Sequence, residues 1–391
     1  MRKSRGLARV AAPRDRFPAG PPPALFWGSR APVALASPPI RLVMPAPLHV
    51  GLLYGGQSAE HAISIRSART VYDALAARHR VTPIYIALDG QWHVTDGIGG
   101  DEEAAVFVPH GGEGTVTSAD LGALGLDIVF PILHGHNGED GTIQGFLHTL
   151  GLPYVGPDVL ASAACMDKVV AKRLLEAAGL PTTPFVVIRA HERDGVAFED
   201  VSEALGALVF VKPANSGSSV GVSKVEAADG FEAALDEAFL YDKTVLVETG
   251  IVGREIEVAV LGNERPAASV PGEIVSTAQF YTYDAKYEDP DASRMEVPAN
   301  LPSEVAETVR RMAVEAYVAL GCEGLSRVDF FVTDAGDVLV NEINTIPGFT
   351  SRSMYPVMWA RTGRPIETLV DNLLQLGLDR HARDAARKTT R

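Results

Sequence analysis

The chain has 391 residues, 46% hydrophobic and 21% charged, a balance that suits a globular protein and excludes a collagen, a disulfide scaffold or a chain disordered throughout. Its formal net charge of −14 argues against sequence-independent nucleic-acid binding, which needs a basic footprint. Cys165 and Cys322 have no metal or redox spacing and suit a reducing compartment, and no apolar run reaches the ~18 residues of a membrane span.

Residues 1–46 differ from the rest. They hold eight basic residues against one acid, Asp15, and nine of the 26 prolines. Proline interrupts every apolar run there, so neither a secretory h-region nor an amphipathic helix is expected. The segment reads as a disordered leader; a sharper reading takes Met44 as the natural start, because the first strand begins just after it.

Leu48–Tyr54 is a continuous apolar run ending in Gly55-Gly56, as in a buried parallel strand. Ser58 is placed to cap a helix over Ala59–Ala77, followed by strands at Val81–Ala87 and Leu126–Leu133, a Gly-rich loop from His134 to Gly141, and a helix over Thr142–Leu150. Strand–helix alternation predicts a parallel α/β unit over 47–155 that binds ligands at the carboxyl ends of its strands. A smaller α+β unit over 156–250 follows: a helix over Asp167–Ala178, strands at Phe185–Arg189, Leu208–Lys212, Val220–Val225 and Thr244–Glu248, and a helix over Phe231–Ala238. A third unit, 251–378, has antiparallel strands at Glu255–Leu261, Ala267–Val275, Ser326–Val332 and Val338–Asn344, a helix over Glu304–Leu320, and a long polar loop over 282–300. Residues 379–391 read as a frayed, polar tail.

Three constellations carry chemistry. Lys212 ends a strand and enters the small-residue loop Ser216-Gly217-Ser218-Ser219. Such a loop lets backbone N–H groups approach phosphate beside a point charge, although a plain hairpin turn has the same composition and no Walker A motif is present. Second, a hairpin with Ala335-Gly336 at its tip would set Asp329 opposite Glu342 and Arg327 opposite Asn344, a register that one bulge would shift. Opposed carboxylates repel unless a cation lies between them, and oxygen donors without sulfur or imidazole favour Mg²⁺ completed by substrate phosphates. Third, the loop after that hairpin, with Gly348 and Ser353, can offer N–H and hydroxyl donors to a carboxylate or oxyanion, although a plain loop has the same composition. Taken alone, Glu60, in the first turn of a helix, is better explained by the helix dipole, and Lys168 by a solvated face.

Together these segments resemble the D-alanine–D-alanine ligases of the ATP-grasp superfamily. The matching motifs, in family order over about 48–378, are GGQSAEH at 55–61, HGHNGEDGTIQG at 134–145, MDK at 166–168, KPANSGSSVGVSKV at 212–225, VETGIVGREIEVAV at 247–260, YDAKY at 283–287, RVDFF at 327–331 and NEINTIPGFTSRS at 341–353. The resemblance implies an ATP-grasp fold, in which a parallel α/β domain precedes two α+β units clasping ATP, and a cytoplasmic homodimer acting on small molecules. It implies that Lys168 and Lys212 bind ATP phosphates under the Ser216, Gly217 and Ser219 loop, that Lys286 binds the nucleotide from the lid, that Glu248 and Glu255 bind adenine and ribose, and that Asp329, Glu342 and Asn344 hold two Mg²⁺ (or Mn²⁺). Glu60 would take the ammonium of a first D-alanine, with Ser218 and Tyr287 linking to it and closing a 276–296 lid. His134 would lie beside that substrate, Arg327 and the Gly348 amide would stabilise an oxyanion, and Ser353 would hold the second D-alanine. The AKY at 285–287 points to an amine nucleophile, while Asn215-Ser216 departs from the charged residue many relatives carry in that loop. The alternatives are another ATP-grasp carboxylate–amine ligase, separated by the Glu60/Ser218/Tyr287 set, and a non-catalytic ATP-binding module.

Overall fold

The computed structural model describes residues 47–98, 118–276 and 293–388. The first sheet runs in the order β3-β2-β1-β4. Strand β1 (His49–Gly55) lies parallel between β2 (Arg80–Ile86) and β4 (Ile128–Pro131), and β3 (Trp92–Val94) closes one edge antiparallel. Val50, Leu52 and Leu53 are fully buried, which is why β1 reads as one apolar run rather than an alternation. Helices α1 (His61–Ala76), α2 (Ser118–Ala123) and α3 (Thr142–Thr149) belong to this unit. Glu60 is the N-cap residue of α1, one position before the expected first turn.

Helices α4 (Val159–Met166) and α5 (Lys168–Ala177) follow. Asp167 separates them, its carboxylate accepting the N–H groups of Val169 and Val170 at 2.9 and 3.0 Å, an N-cap that sets Lys168 at the head of α5. The second sheet is wholly antiparallel, β5-β8-β6-β7, built from β5 (Phe185–Arg189), β6 (Val209–Pro213), β7 (Ser223–Val225) and β8 (Thr244–Thr249), with α6 (Phe198–Leu205) and α7 (Ala228–Phe239). Strand β7 is shorter than expected because Val220 and Val222 donate their N–H groups back to Gly217 and Ser219 at 3.0 and 3.3 Å, closing turns instead of a ladder.

The third sheet contains β9 (Arg254–Gly262), β10 (Ala267–Ala268), β11 (Gly272–Ser276), β12 (Ser293–Glu296), β13 (Gly324–Val332) and β14 (Val338–Asn344), with α8 (Ser303–Ala319) packed on it. The expected strand at 267–275 is two strands, interrupted at Pro271, which has no N–H to donate. Part of the expected irregular stretch at 282–300 is strand β12, paired antiparallel with β11 because Met295 docks on the core. The rest of the expected lid, with Lys286 and Tyr287, and the 1–46 leader lie outside the described residues.

Two helices end the chain, α9 (Met354–Arg361) and α10 (Ile366–Ala385). The tail expected from residue 379 is therefore corrected: α10 runs through it. Leu369, Leu373, Leu376 and Arg380 recur at helical spacing and are all buried, so the apolar stripe simply ends in an arginine. The Arg380 guanidinium donates to Gly156 O and, at 2.9 Å, to Tyr154 O, and stacks 4.2 Å above the Tyr154 ring. One core cluster joins β1 and β4 to α9 and α10 through Leu52, Phe130, Phe349, Tyr355 and Leu373, while a separate cluster fills the 188–247 unit. Cys165 and Cys322 are buried free thiols. Among the described residues no helix is long and apolar enough to cross a membrane.

Gly377 is where α10 comes closest to the first sheet: an added Cβ would lie 2.7 Å from Tyr154 O and 2.9 Å from Ile128 Cδ1. Gly377→Ala is expected to destabilise the fold by about 1–3 kcal/mol through overpacking. The check is the thermal unfolding midpoint, against Arg387→Ala on the exposed end of the chain as control.

Candidate active site

The three sheets face a shared cavity of about 1010 Å³. Glu60, His134, Lys168, Ser216, Gly217, Ser218, Glu255, Arg327, Asp329, Glu342, Asn344, Gly348 and Ser353 all line it. Of the other residues singled out in the sequence, Lys212, Ser219 and Glu248 do not line it, and Lys286 and Tyr287 lie outside the described residues.

Its acidic side is the β13–β14 hairpin. Asp329 pairs with Glu342 and Arg327 with Asn344, as the spacing predicts, but by another route. The turn is longer, with Val332 paired to Val338, and the ladder is brought back into that register by a bulge at Asn341, between Phe330↔Val340 and Asp329↔Glu342. Each carboxylate has its own cation. The Arg327 fork donates to both Asp329 oxygens at 2.7 Å and lies 3.1 Å from Glu257, and Lys168 Nζ lies 3.3 Å from Glu342 while donating to Ser216 O at 2.6 Å. The side-chain oxygen of Asn344 is buried with no hydrogen-bond partner. Among the described residues no three His, Cys, Asp or Glu side chains gather as a metal cluster. The set is instead two facing carboxylates and an unsatisfied amide oxygen, all hard donors, and it fits Mg²⁺ or Mn²⁺.

The opposite wall carries Glu60. The Ser218 hydroxyl donates to Glu60 Oε1 across 158 residues of sequence, and Ser218 and Ser219 hold left-handed backbone, φ 49° and 61°, a conformation that costs non-glycine residues about 1–2 kcal/mol each. Gly135, at φ +73°, could not carry a side chain: its Cβ would stand 2.6 Å from Glu60 Oε2. Asn215 is tied down by two hydrogen bonds to Asp242, at 2.9 and 2.8 Å, in place of a charged contact.

His134 is a brace. Its Nδ1–H donates to Ile346 O at 3.0 Å, and its Nε2 accepts from Ser67 Oγ at 3.0 Å, which in turn accepts the Phe349 N–H at 3.1 Å. The ring joins the loop after β4 to the loop after β14, so both ring nitrogens are occupied by protein. Burial pushes its pKa down to about 4, helped by nearby Arg327 and opposed by the Ile346 hydrogen bond. Beyond it, the Gly348 α-carbon approaches Ser353 so closely that a Cβ would be 2.9 Å from Ser353 Oγ; that oxygen accepts the Thr350 N–H at 3.0 Å.

Three polar residues were not picked out from the sequence. Glu139 is buried on the cavity wall. Its Oε2 accepts the Gly135 N–H at 2.8 Å and its Oε1 has no hydrogen-bond partner, and burial, then neighbouring Glu60, push its carboxyl well above the ordinary range. The only signal in the chain was an acid inside a Gly-rich strand-to-helix turn. Glu257 shares Arg327 with Asp329, and Lys172, on α5, faces Glu248; in the sequence both look like ordinary strand and helix charges.

An N-terminal α/β layer, two α+β units, a lysine-lined small-residue loop and an acidic hairpin on one cavity define an ATP-grasp ligase. Residues 49–157 match the family described as D-ala D-ala ligase N-terminus, and residues 174–375 the D-ala D-ala ligase C-terminus. The chain is 47% identical over 360 residues to D-alanine–D-alanine ligase A of Escherichia coli K12, covering 88% of this chain and 99% of that one, and 44% identical over 359 residues to the D-alanine–D-alanine ligase of Oceanobacillus iheyensis, covering 88% and 98%. Among solved structures, the D-alanine–D-alanine ligase of Coxiella burnetii aligns at TM-score 0.75 with 36% identity, covering 87% of this chain and 97% of that one, and the VanG D-Ala:D-Ser ligase of Enterococcus faecalis at 0.74 with 32%, covering 85% and 99%. The chain belongs to the D-alanine–D-alanine ligase family.

Because His134 stays neutral in the folded protein down to about pH 4, while an exposed histidine protonates near 6.5, the unfolded state gains protons first on acidification. The stability this histidine contributes is whole above pH 6.5 and falls away between pH 6.5 and 4. His134→Gln is expected to flatten that part of the pH dependence, read as a smaller drop in thermal midpoint between pH 7 and 4.5 than the wild-type protein shows.

Proposed function

We propose that the protein joins two D-alanine molecules with ATP to give D-alanyl-D-alanine, ADP and phosphate, a dipeptide of the peptidoglycan precursor. The observation that carries this reading is a single cavity with an acid pair and amide oxygen beside Lys168 on one wall and the Glu60–Ser218 pair on the other. Phosphoryl transfer needs charge neutralisation at the first, and an amino acid needs an anion for its ammonium at the second.

A carboxylate is a poor electrophile. The first D-alanine, its ammonium on Glu60, attacks the γ-phosphate through its carboxylate oxygen, forming an acyl phosphate and releasing ADP. Lys168 and Lys212 face the phosphates, the Ser216-Gly217-Ser219 loop covers them, and Glu255, on the cavity lining, takes the nucleoside end; Glu248, expected beside it, is instead buried against Lys172 and Lys212 and does not reach the nucleotide. Asp329, Glu342 and Asn344 would hold two Mg²⁺ or Mn²⁺, which would supply Lewis-acid stabilisation of charge on the transferred phosphoryl group. The amine of the second D-alanine, its carboxylate near Ser353, then attacks the acyl carbon. The oxyanion of that tetrahedral species is met by Arg327 and the Gly348 N–H, and phosphate leaves as the peptide bond forms. Water would hydrolyse the acyl phosphate, so a cover is chemically required; the expected one, with Lys286 and Tyr287, lies outside the described residues. A homodimer in the cytoplasm completes the reading, supported by family membership.

A coupled ADP-release assay tests it. D-Alanine is expected to drive turnover and L-alanine none, with D-serine and D-lactate far weaker as second substrates; turnover with L-alanine alone would overturn the reading. Glu342→Gln is expected to lower kcat by about two orders of magnitude or more with the thermal midpoint preserved, because it removes a ligand charge from the phosphoryl-transfer step.

A further inference from the structure

Lys172 has 1% of its side chain exposed, and no step above uses it. Its Nζ lies 2.9 Å from Glu248 Oε1, while Lys212 Nζ lies 2.5 Å from Glu248 Oε2. The carboxylate belongs to β8, an internal strand of its sheet; one lysine reaches it from α5 and the other from neighbouring β6. Glu248 is 2% exposed, whereas 13% of the Lys212 side chain remains open. Lys212 is thus the one member of the trio on the solvent side, at the start of the loop that covers the cavity.

Two ammonium groups on one carboxylate leave a positive charge in surplus. A buried carboxylate needs one cation for neutrality, and a second beside it is repelled unless another anion arrives. The ionisation balance has the same shape: burial lowers the Lys172 pKa against the pull of Glu248, and Lys212 repels it further, while Lys212 and Lys172 together hold Glu248 below its usual range in spite of burial. Lys172 also points at Thr183 O, 3.4 Å away, and at the face of Phe185, 5.8 Å from the ring centre. It is anchored where it stands.

We propose that Lys172 is a positioning residue for nucleotide binding: it is the permanent counter-ion of Glu248, and so leaves Lys212 able to turn its charge to a phosphate oxygen. The proposal rests on the assignment of Lys212 to the ATP phosphates made above. With Lys172 present, a phosphate that draws Lys212 away leaves Glu248 still paired. Without it, the same movement strands a buried anion, and nucleotide binding bears that penalty.

The test compares variants of the full chain by steady-state kinetics and by calorimetric binding of ATP with Mg²⁺. Lys172→Met is expected to raise the KM and Kd for ATP about tenfold, with kcat changed less than about threefold and the KM for D-alanine unchanged. Lys172→Arg is expected to restore ATP affinity. Adding Glu248→Gln to Lys172→Met removes the buried anion and is expected to return the KM for ATP to within about threefold of wild type. The proposal is overturned if Lys172→Met leaves ATP affinity within about twofold of wild type, if the KM for D-alanine rises in step, or if the double variant binds ATP no better than the single one. Should Lys172→Met not fold, Lys172→Gln, which keeps a donor to Glu248 but not the charge, takes its place: a rise of about fivefold or more in the KM for ATP alone supports the proposal, and ATP affinity within about twofold of wild type overturns it. Lys212→Met separates the two levels of the argument: unchanged ATP affinity there removes the phosphate assignment itself, whereas lost affinity with silent Lys172 variants removes only the role given to Lys172.

Discussion

Asp329 and Glu342 face one another across two neighbouring strands, an arrangement that Coulomb repulsion opposes unless cations are supplied. Here each carboxylate is held by a cation from its surroundings, Arg327 in a two-toothed grip on one and Lys168 beside the other. The pairing itself depends on a single extra residue. Without the bulge at Asn341 the ladder would continue in the register of the turn, and Asp329 would face Asn341 instead of an acid. The rest of the site is arranged around that pair. Lys168 is set by the Asp167 cap and ties the acidic hairpin to the Ser216 loop; Arg327 reaches Glu257 on the next strand; and the loop that follows β14 carries Gly348 and Ser353 to the same cavity.

Close backbone approach does the remaining positioning. Gly135 and Gly348 stand where a β-carbon would enter the space of Glu60 and Ser353, so these turns bring main chain against functional side chains. His134 joins the two loops through a directed relay in which each donor meets an acceptor, and this accounts for a buried histidine with no charge. The strained Ser218-Ser219 backbone is offset by the Ser218 hydrogen bond to Glu60, which links the second sheet's loop to the first sheet's helix. Charge sharing recurs elsewhere around the site: Arg327 is divided between Asp329 and Glu257, and Glu248 between Lys172 and Lys212.

Much of this was legible in the chain. The acidic hairpin ends at Asn344 as expected, β5 spans the residues its pattern marks, and α5 begins at its Asp cap. The facing acids were anticipated with the wrong turn, because a longer turn and a bulge displace the register in opposite senses and cancel. What escaped were elements whose signal is short or conditional. Strand β3 has three residues; α4 sits between two turns; β12 exists only because β11 is there to pair with it. The end of α10 was misread because its last buried position is an arginine, whose charge marks it as solvated until Tyr154 and Gly156 are seen to receive it. Glu139, Glu257 and Lys172 escaped for the same reason.

By itself, then, the sequence determined the alternation of strands and helices, the turns with their glycines, the helix beginning at about Asp167 and an ordered series of motifs resembling one ligase family. These depend on residues a few positions apart, where periodicity and turn chemistry act directly. Only the tertiary structure decided which charges are solvated and which are buried in pairs, that His134 joins two loops, and that Lys172 stands behind Glu248. Such contacts join residues dozens to hundreds of positions apart, and they exist because packing removes water and leaves each buried polar group to find its partner within the protein.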